Sequence, residues 1–310
     1  MIMKRPVGAL IALCATLAFP PRINAQAFTP PAGVGQVTAA GQFVDNTGHW
    51  FSDGFFLPAG QSVTMSLHLE VDYGITDRLS VSAGVPYVFA KYKGALPPPS
   101  RLALDACKCW HSTFQDLSFS ARYRFGNDAW AITPVARYVM PTHDYRYKGE
   151  AVVGRNLQEA QAGVNAGLRL PGILRRASVG TGYTYSFVQK PLREISINRS
   201  NGYFEVGYAL TDRFFVRGVS TWQKTHGGLR VGSPTGKPFF PPGELNTPQR
   251  FAQRDRLLST QYWHAGGGVS YATAGPFDVF AEITQYVWGR NAHRGRTFTA
   301  GATWYFDRSN

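Results

Sequence analysis

The chain has 310 residues, of which 16% are charged and 14% aromatic, and its formal net charge is +13. A mean hydropathy of −0.19 excludes a bundle of membrane-spanning helices. With 33 Gly, 21 Phe, 15 Tyr and 7 Trp, the composition suits strands that are apolar on one side only. The Lys and Arg residues are scattered without a nucleic-acid-binding motif, so the basic balance predicts no nucleic-acid partner.

The N-terminus predicts an export signal. Lys4 and Arg5 precede a short apolar stretch, and Ala25-Gln26-Ala27 supplies the small residues of a cleavage site. The apolar stretch is shorter than the ~20 residues that a spanning helix needs, although a retained anchor is the alternative. We therefore expect a cleaved signal peptide over residues 1–27 and one exported domain over residues 28–310.

Beyond the signal, apolar and polar residues alternate with the two-residue period of a β-strand. Residues 65–73 show the pattern well, because Leu67 and Leu69 alternate with His68 and Glu70. A strand of this kind has one apolar face and one polar face. The same alternation recurs along the whole exported domain.

Five hairpins are predicted, each with a short turn, of which Gly126-Asn127-Asp128 is one. One strand at residues 36–45 precedes the hairpins and one at residues 297–306 follows them, which gives twelve strands. The connections between hairpins are long, up to the segment 226–259. Short turns at one end and long loops at the other are typical of bacterial outer-membrane barrels. We therefore predict an all-β fold, a transmembrane antiparallel up-and-down β-barrel of twelve strands.

Charged residues lie on the strand faces opposite the apolar ones. A soluble β-sandwich would have to bury them between its two sheets, at a high desolvation cost. In a barrel they line a wet or mutually paired interior, and we predict them as pore-lining residues. They are Glu70, Asp72, Asp116, Arg122, Arg124, Arg137, Glu159, Arg169, Glu205, Arg217, Asp278 and Glu282.

Several of the hairpins resemble those of a known family. Tyr73-Gly74-Ile75-Thr76-Asp77-Arg78-Leu79, followed by Gly84-Val85-Pro86-Tyr87, resembles a recurrent hairpin of the phenol meta-pathway degradation family of outer-membrane proteins. The segments 114–125 and 208–213 are similar to other hairpins of that family, which usually has Gly where this chain has Gln115. The resemblance spans about residues 67–306 and implies a channel for uptake of small, often aromatic, compounds.

Two segments carry residues that a barrel hydrolase would use. Residues 198–202 resemble the Ser-Asn-Gly segment of an outer-membrane phospholipase, but Asn198 stands where that lipase has its His, two residues before Ser200. We interpret this segment as a loop and the start of a strand. His143 and Asp144 resemble a pair on a protease barrel rim, but no second acidic pair faces them. We therefore expect no enzyme, with a barrel-type lipase or protease as the catalytic alternative.

The loops hold three further candidate features. Cys107 and Cys109 either form a disulfide or remain free thiols, and His111 nearby leaves a weak metal loop open. Phe239 and Phe240 lie in the longest loop and are candidates for a constriction in the channel. Loop cations, including Arg250, Arg254 and Arg256, are expected to contact phosphates of lipid and lipopolysaccharide.

The sequence thus predicts an outer-membrane channel for passive uptake of small hydrophobic or aromatic compounds, with a small-molecule solute as its partner and no cofactor. A plugged, purely structural barrel is the alternative, because charges that pair across the interior could simply fill it.

Overall fold

The computed structural model describes residues 27–58, 60–95, 103–230, 232 and 247–307. In this part of the chain a single β-sheet closes on itself, because the first strand pairs antiparallel with the last. The predicted twelve-stranded antiparallel barrel is therefore confirmed. Residues 1–26 of the predicted signal peptide lie outside the described residues, so the cleavage site stays a prediction.

The fifteen strands of the sheet are β1 (Val34–Trp50), β2 (Phe56–Leu57), β3 (Ser62–Gly74), β4 (Leu79–Tyr92), β5 (His111–Phe114), β6 (Asp116–Tyr123), β7 (Phe125–Gly126), β8 (Trp130–Pro141), β9 (Glu159–Arg169), β10 (Ala177–Val188), β11 (Ile197–Ala209), β12 (Phe214–Gly227), β13 (Gln261–Ala272), β14 (Phe277–Arg290) and β15 (Ala292–Asp307). β2, β5 and β7 are short accessory strands, and the other twelve form the wall. The helices are α1 (Ala103–Ala106), α2 (Pro248–Ala252) and α3 (Arg254–Leu257), with a 3₁₀ turn at Gly172–Leu174.

Short turns close one end of the barrel, as the sequence predicts. In the turn between β3 and β4, Thr76 Oγ1 accepts a hydrogen bond from the backbone N–H of Leu79 at 2.9 Å. Thr211 Oγ1 does the same for Phe214 at 3.0 Å in the turn between β11 and β12. The hydroxyl satisfies backbone donors that the ladder cannot reach, which explains why Thr-Asp-Arg recurs at these turns. Both ends of the barrel sheet lie on this side, which is periplasmic in outer-membrane barrels.

The outward face of the wall is apolar along every long strand. Leu67, Phe187 and Phe204 are among its exposed side chains, and Leu67 is 55% exposed. Trp130, Trp263 and Trp304 are also exposed on it. Exposed apolar surface of this extent is stable only against lipid. None of the helices in the described residues is long and apolar enough to span a membrane.

The packed core lies inside the barrel, at the end with the long connections. There the loop over residues 142–158, called here the inward loop, contributes Tyr145, Ala151 and Val153 to a buried cluster with Val88 and Tyr92 of β4. A second cluster joins its Leu157 to residues of the wall, of α3 and of the segment after β12, namely Val188, Ile197, Leu257 and Leu229. The chain's own loops therefore occupy part of the lumen at its extracellular end.

A short N-terminal strap lies across the opposite mouth. The strap, residues 27–32, precedes β1, yet Thr133 Oγ1 on β8 donates to the backbone oxygen of Ala27 at 2.5 Å. The Arg169 guanidinium on β9 stacks over the Phe28 ring at 4.6 Å. Because β8 and β9 lie several strands away from β1 around the wall, the strap must cross the lumen to reach them.

Candidate functional site in the barrel lumen

The structure places all twelve predicted pore-lining residues on the polar face of the wall. That face is the inner one for two reasons. The exposed apolar side chains alternate with it along each strand, and the strap contacts Thr133 on it from inside the barrel. Most of the twelve are buried or half-buried, whereas Glu70 and Arg137 are exposed. That these residues line a conducting pore stays a proposal.

Ion pairs organise much of the inner face, and several of them join strands that are not direct neighbours. Asp72 on β3 pairs with Arg122 on β6 and also accepts a hydrogen bond from the Gln36 amide at 3.1 Å. On the other side of the barrel, Glu159 on β9 pairs with Arg199 on β11. These pairs offset the cost of enclosing the charges, and each leaves less of the lumen free.

A third group of charges surrounds Arg217 on β12. Its Nη2 lies 2.9 Å from Glu282 Oε2 on β14, and its Nη1 lies 3.8 Å from Glu205 Oε2 on β11. Asp278 accepts a hydrogen bond from the Tyr305 hydroxyl at 2.7 Å. Three carboxylates and one guanidinium therefore face the lumen on this side.

The remaining predicted residues differ in their contacts. Arg124 lies 3.8 Å from the exposed Asp128, and Arg169 covers the strap. Within the described residues, the side chains of Glu70 and Arg137 form no hydrogen bond or ion pair. Asp116 accepts a hydrogen bond from the hydroxyl of Tyr145, so it anchors the inward loop.

Sequence reasoning misses two residues that face the lumen, Arg199 and Tyr145. The interpretation of residues 198–202 as a loop and the start of a strand overlooks Arg199, and the structure corrects it, since β11 already begins at Ile197. The alternation of Glu205, Tyr203 and Asn201 back to Arg199 carries the signal. Tyr145 had no such signal, because the inward loop has no periodicity.

Several polar contacts fix the inward loop in the mouth. Asp105 on α1 accepts hydrogen bonds from the backbone N–H groups of Glu150 and Ala151, and Asp255 on α3 accepts one from Gly149 at 3.2 Å. Arg256 stacks on Tyr147 with 3.3 Å from its Cζ to the ring centroid. Burial, together with the charges of Asp255 and Asp105, raises the pKa of Glu150 to about 7, against the lowering effect of Arg254.

The lumen contains a cavity of about 310 Å³ near its periplasmic end. Its lining combines the charged Glu205, Arg217 and Asp278 with the aromatic Phe215 and Phe280. A larger groove of about 870 Å³ lies on the wall itself and is lined mainly by outward apolar residues such as Phe43 and Leu67, so it faces lipid. Of these two, the luminal cavity is the one that combines enclosure with polar groups, as solute sites do.

The structure answers only some of the predictions made for the loops. A disulfide joins Cys107 and Cys109. Phe239 and Phe240 lie outside the described residues, so their role in a constriction stays a prediction. In the described part of the chain, no cluster of three or more His, Cys, Asp or Glu side chains could hold a metal ion.

The cations expected to contact lipid phosphates are engaged by the chain itself. Arg250 lies 3.6 Å from Glu194, Arg254 lies 3.4 Å from Asp255, and Arg256 stacks inside the mouth. Contact with lipopolysaccharide through these residues therefore stays a proposal.

The structure describes both segments that carry candidate residues of a barrel hydrolase. Ser200 lies on the outward face of β11, and its Oγ is 2.7 Å from His226 Nε2 on β12 and 2.9 Å from the Tyr183 hydroxyl. The neighbouring strand thus supplies a His that the sequence of β11 lacks, a contact that only the strand register reveals. His143 instead contacts Thr113 and Thr142 through its two ring nitrogens.

Comparisons with known proteins agree with this architecture. No protein-family model matches the chain, and no curated protein matches its sequence. Among solved structures, the COG4313 outer membrane channel from Pseudomonas putida F1 superposes with a TM-score of 0.66 at 12% identity, and the match covers 91% of this chain and 98% of that one.

Two further solved structures overlap more weakly. The NanC porin has a TM-score of 0.48 at 10% identity, over 86% of this chain and 98% of its own. The KdgM porin has a TM-score of 0.47 at 8% identity, over 87% and 99%. The similarity to the Pseudomonas putida channel shows the fold: this chain is a closed twelve-stranded β-barrel of the kind found in the bacterial outer membrane.

Proposed function

We propose that the protein is an outer-membrane channel for passive uptake of small hydrophobic or aromatic compounds. The observation that carries the proposal is the luminal cavity of about 310 Å³, which combines aromatic and charged side chains inside an otherwise polar barrel. A small aromatic molecule would contact Phe215 and Phe280 through its ring and the charged groups through polar substituents. The resemblance to the phenol meta-pathway family supports the same class of solute.

Passage through this lumen requires movement at both ends. The inward loop occupies the extracellular part, and the strap crosses the periplasmic part. The strap is held by a hydrogen bond and a ring contact, and the inward loop by hydrogen bonds and apolar packing. Neither is held by strand pairing, so both open at a lower free-energy cost than the wall. Transport of this kind needs no catalytic step, cofactor or energy source.

A matched pair of Trp substitutions tests the proposal. Ser270 lines the cavity, whereas its neighbour Val269 is exposed on the outward face. Ser270→Trp fills the cavity and should slow entry of benzyl alcohol into cells that lack other porins, whereas Val269→Trp should leave entry at the wild-type rate. Equal uptake with the wild-type protein and with no protein at all would contradict the proposal.

A second candidate function is hydrolysis of lipid esters at the outward face. The observation that favours it is the hydrogen bond between Ser200 and His226, which pairs a nucleophile with a base. A fluorophosphonate probe distinguishes the two functions. Labelling that is lost in Ser200→Ala and His226→Ala would favour the hydrolase. Ser112→Ala is the matched control, since Ser112 also bonds an outward Tyr hydroxyl. The channel proposal expects no labelling of any variant.

A further inference from the structure

The luminal cavity has a local charge opposite to that of the whole chain. Arg217 is the only cation among the described residues that line it, whereas Glu205 and Asp278 are both there. The same Arg217 is also shared with Glu282, which it approaches to 2.9 Å. Two carboxylates thus share one guanidinium and a third, Asp278, lines the same cavity, although the chain as a whole carries +13.

The contacts of these groups leave carboxylate charge free for a ligand. Arg217 is closer to Glu282 than to Glu205, which lies at 3.8 Å. Asp278 is held by the neutral Tyr305 hydroxyl at 2.7 Å, a contact that fixes its position without cancelling its charge. The Glu205 side chain is 17% exposed, so it is screened less than a surface carboxylate would be.

Aromatic rings complete the cavity. Phe215 and Phe280 lie among the lining residues, and the Arg217 guanidinium already sits 6.0 Å from the Phe280 ring centroid. Aromatic faces attract cations through their quadrupole and stack with other rings. Carboxylates beside aromatic rings therefore favour a ligand that has both an aromatic ring and a positive charge.

We propose that this cavity is a selectivity site that prefers protonated aromatic amines over aromatic carboxylates. Glu205 and Asp278 attract the ammonium group, while Phe215 and Phe280 contact the ring. An aromatic carboxylate of the same size would meet two carboxylates and find Arg217 already engaged. The inference rests on the proposed channel function and specifies the solute class that the same lumen favours.

Three probes of one shape test the preference: benzylammonium, benzyl alcohol and benzoate. The full barrel is reconstituted in planar bilayers, and each probe is titrated against the potassium current. We expect benzylammonium to block at a concentration roughly tenfold lower than benzoate, with benzyl alcohol between them, as expected for a favourable ion pair in a partly screened site. The combined substitutions Glu205→Gln and Asp278→Asn should remove the difference.

Two further variants make the result specific. Arg217→Gln should strengthen the preference for benzylammonium, because it removes the cation that lines the cavity. Its effect is therefore opposite to that of the combined Glu205→Gln and Asp278→Asn substitutions. Asp212→Asn removes a carboxylate at a periplasmic turn, where the side chain is 94% exposed, and should change nothing. Stronger block by benzoate, or an unchanged preference after loss of both luminal carboxylates, would overturn the inference.

The outcome also separates this inference from the channel proposal. A barrel that conducts but prefers benzoate is still a channel and lacks the proposed selectivity. If the folded barrel carries no current, the channel proposal fails, and calorimetric titration of the three probes into the detergent-folded barrel measures the preference directly. Equal or absent binding of benzylammonium and benzoate there would reject the inference as well.

Discussion

Arg217 on β12 contacts Glu282 on β14 over the intervening strand β13, with 2.9 Å between Nη2 and Oε2. Asp72 and Arg122 likewise pair over β4. Side chains two strands apart converge on the concave face of a curved sheet and diverge on the convex face. Closure of the barrel therefore brings these pairs together, and the pairs in turn stabilise its curvature.

Loss of the Arg217 charge should destabilise the barrel. Arg217→Gln leaves Glu205 and Glu282 without their cation in a partly enclosed lumen, and we expect the free energy of unfolding to fall by about 1–3 kcal/mol. Urea unfolding of the barrel in lipid vesicles measures it. The double variant Arg217→Gln with Glu282→Gln should recover part of the loss, and strictly additive losses would show that the two residues are not coupled.

Adjacent positions on β3 should respond oppositely to the same charge. Leu67 is 55% exposed on the outward face near the middle of β3, and His68 faces the lumen, where it contacts Ser66 at 2.8 Å. Leu67→Arg should cost about 2–4 kcal/mol of stability in lipid. His68→Arg should cost less, because the lumen contains water and other charges. If both variants unfold at the same urea concentration, the assignment of the two faces is wrong.

Displacing the strap should increase conductance. A Cβ at Gly167 would lie 2.9 Å from the Phe28 ring and 3.0 Å from Ala27 Cβ, so Gly167→Val pushes the strap off β9. We expect a larger single-channel conductance than in the wild type. Gly218→Val is the control, since no atom lies within 4 Å of a Cβ at that position. An unchanged conductance in Gly167→Val would mean that the strap does not limit the current.

Docking of the inward loop should weaken as the pH rises. The pKa of Glu150 in the docked loop is about 7, above its ordinary value of 4.5, chiefly because burial disfavours the charged form. The docked loop therefore holds the proton more tightly than the released loop does. The stability that this proton contributes is complete below about pH 4.5 and is lost as the pH rises through about 7.

Hydrogen exchange measures the pH dependence of docking at the backbone amides that hold the inward loop. The N–H groups of Gly149, Glu150 and Ala151 bond Asp255 and Asp105, so their protection reports docking. After correction for intrinsic rates, protection should be lower at pH 8 than at pH 5.5. His293 lies 3.8 Å from Glu150 and also faces it. Glu150→Gln should flatten the pH dependence, and a profile unchanged by that substitution would assign the effect to other groups.

The wall of the barrel could be predicted from the sequence because its signal is local. Alternation over residues such as Leu67, His68 and Leu69 sets which face meets lipid, and turn residues such as Thr76 set where each hairpin reverses. The predicted boundaries mostly fall short by a few residues, as for β1, predicted at 36–45 and observed over Val34–Trp50. The strand ends extend beyond the lipid bilayer. Both faces of a strand meet water there, so apolar and polar residues no longer alternate and the sequence does not mark where the strand ends.

The contents of the lumen could not be predicted in the same way. Tyr145 reaches Asp116, and Ala27 reaches Thr133, through contacts between segments far apart in sequence. Neither the inward loop nor the strap has a repeating pattern that would indicate an inward fold. The contact of Ser200 with His226 depends on the register between β11 and β12, which a single strand's sequence does not specify.

Conductance of the purified barrel in planar lipid bilayers tests the proposed channel function most directly. Folding is verified first by circular dichroism and by resistance to protease. We expect discrete current steps on insertion of the wild-type barrel and smaller steps with Ser270→Trp. Repeated insertion of folded barrel without any current would contradict the proposed function and would leave a plugged structural barrel as the explanation.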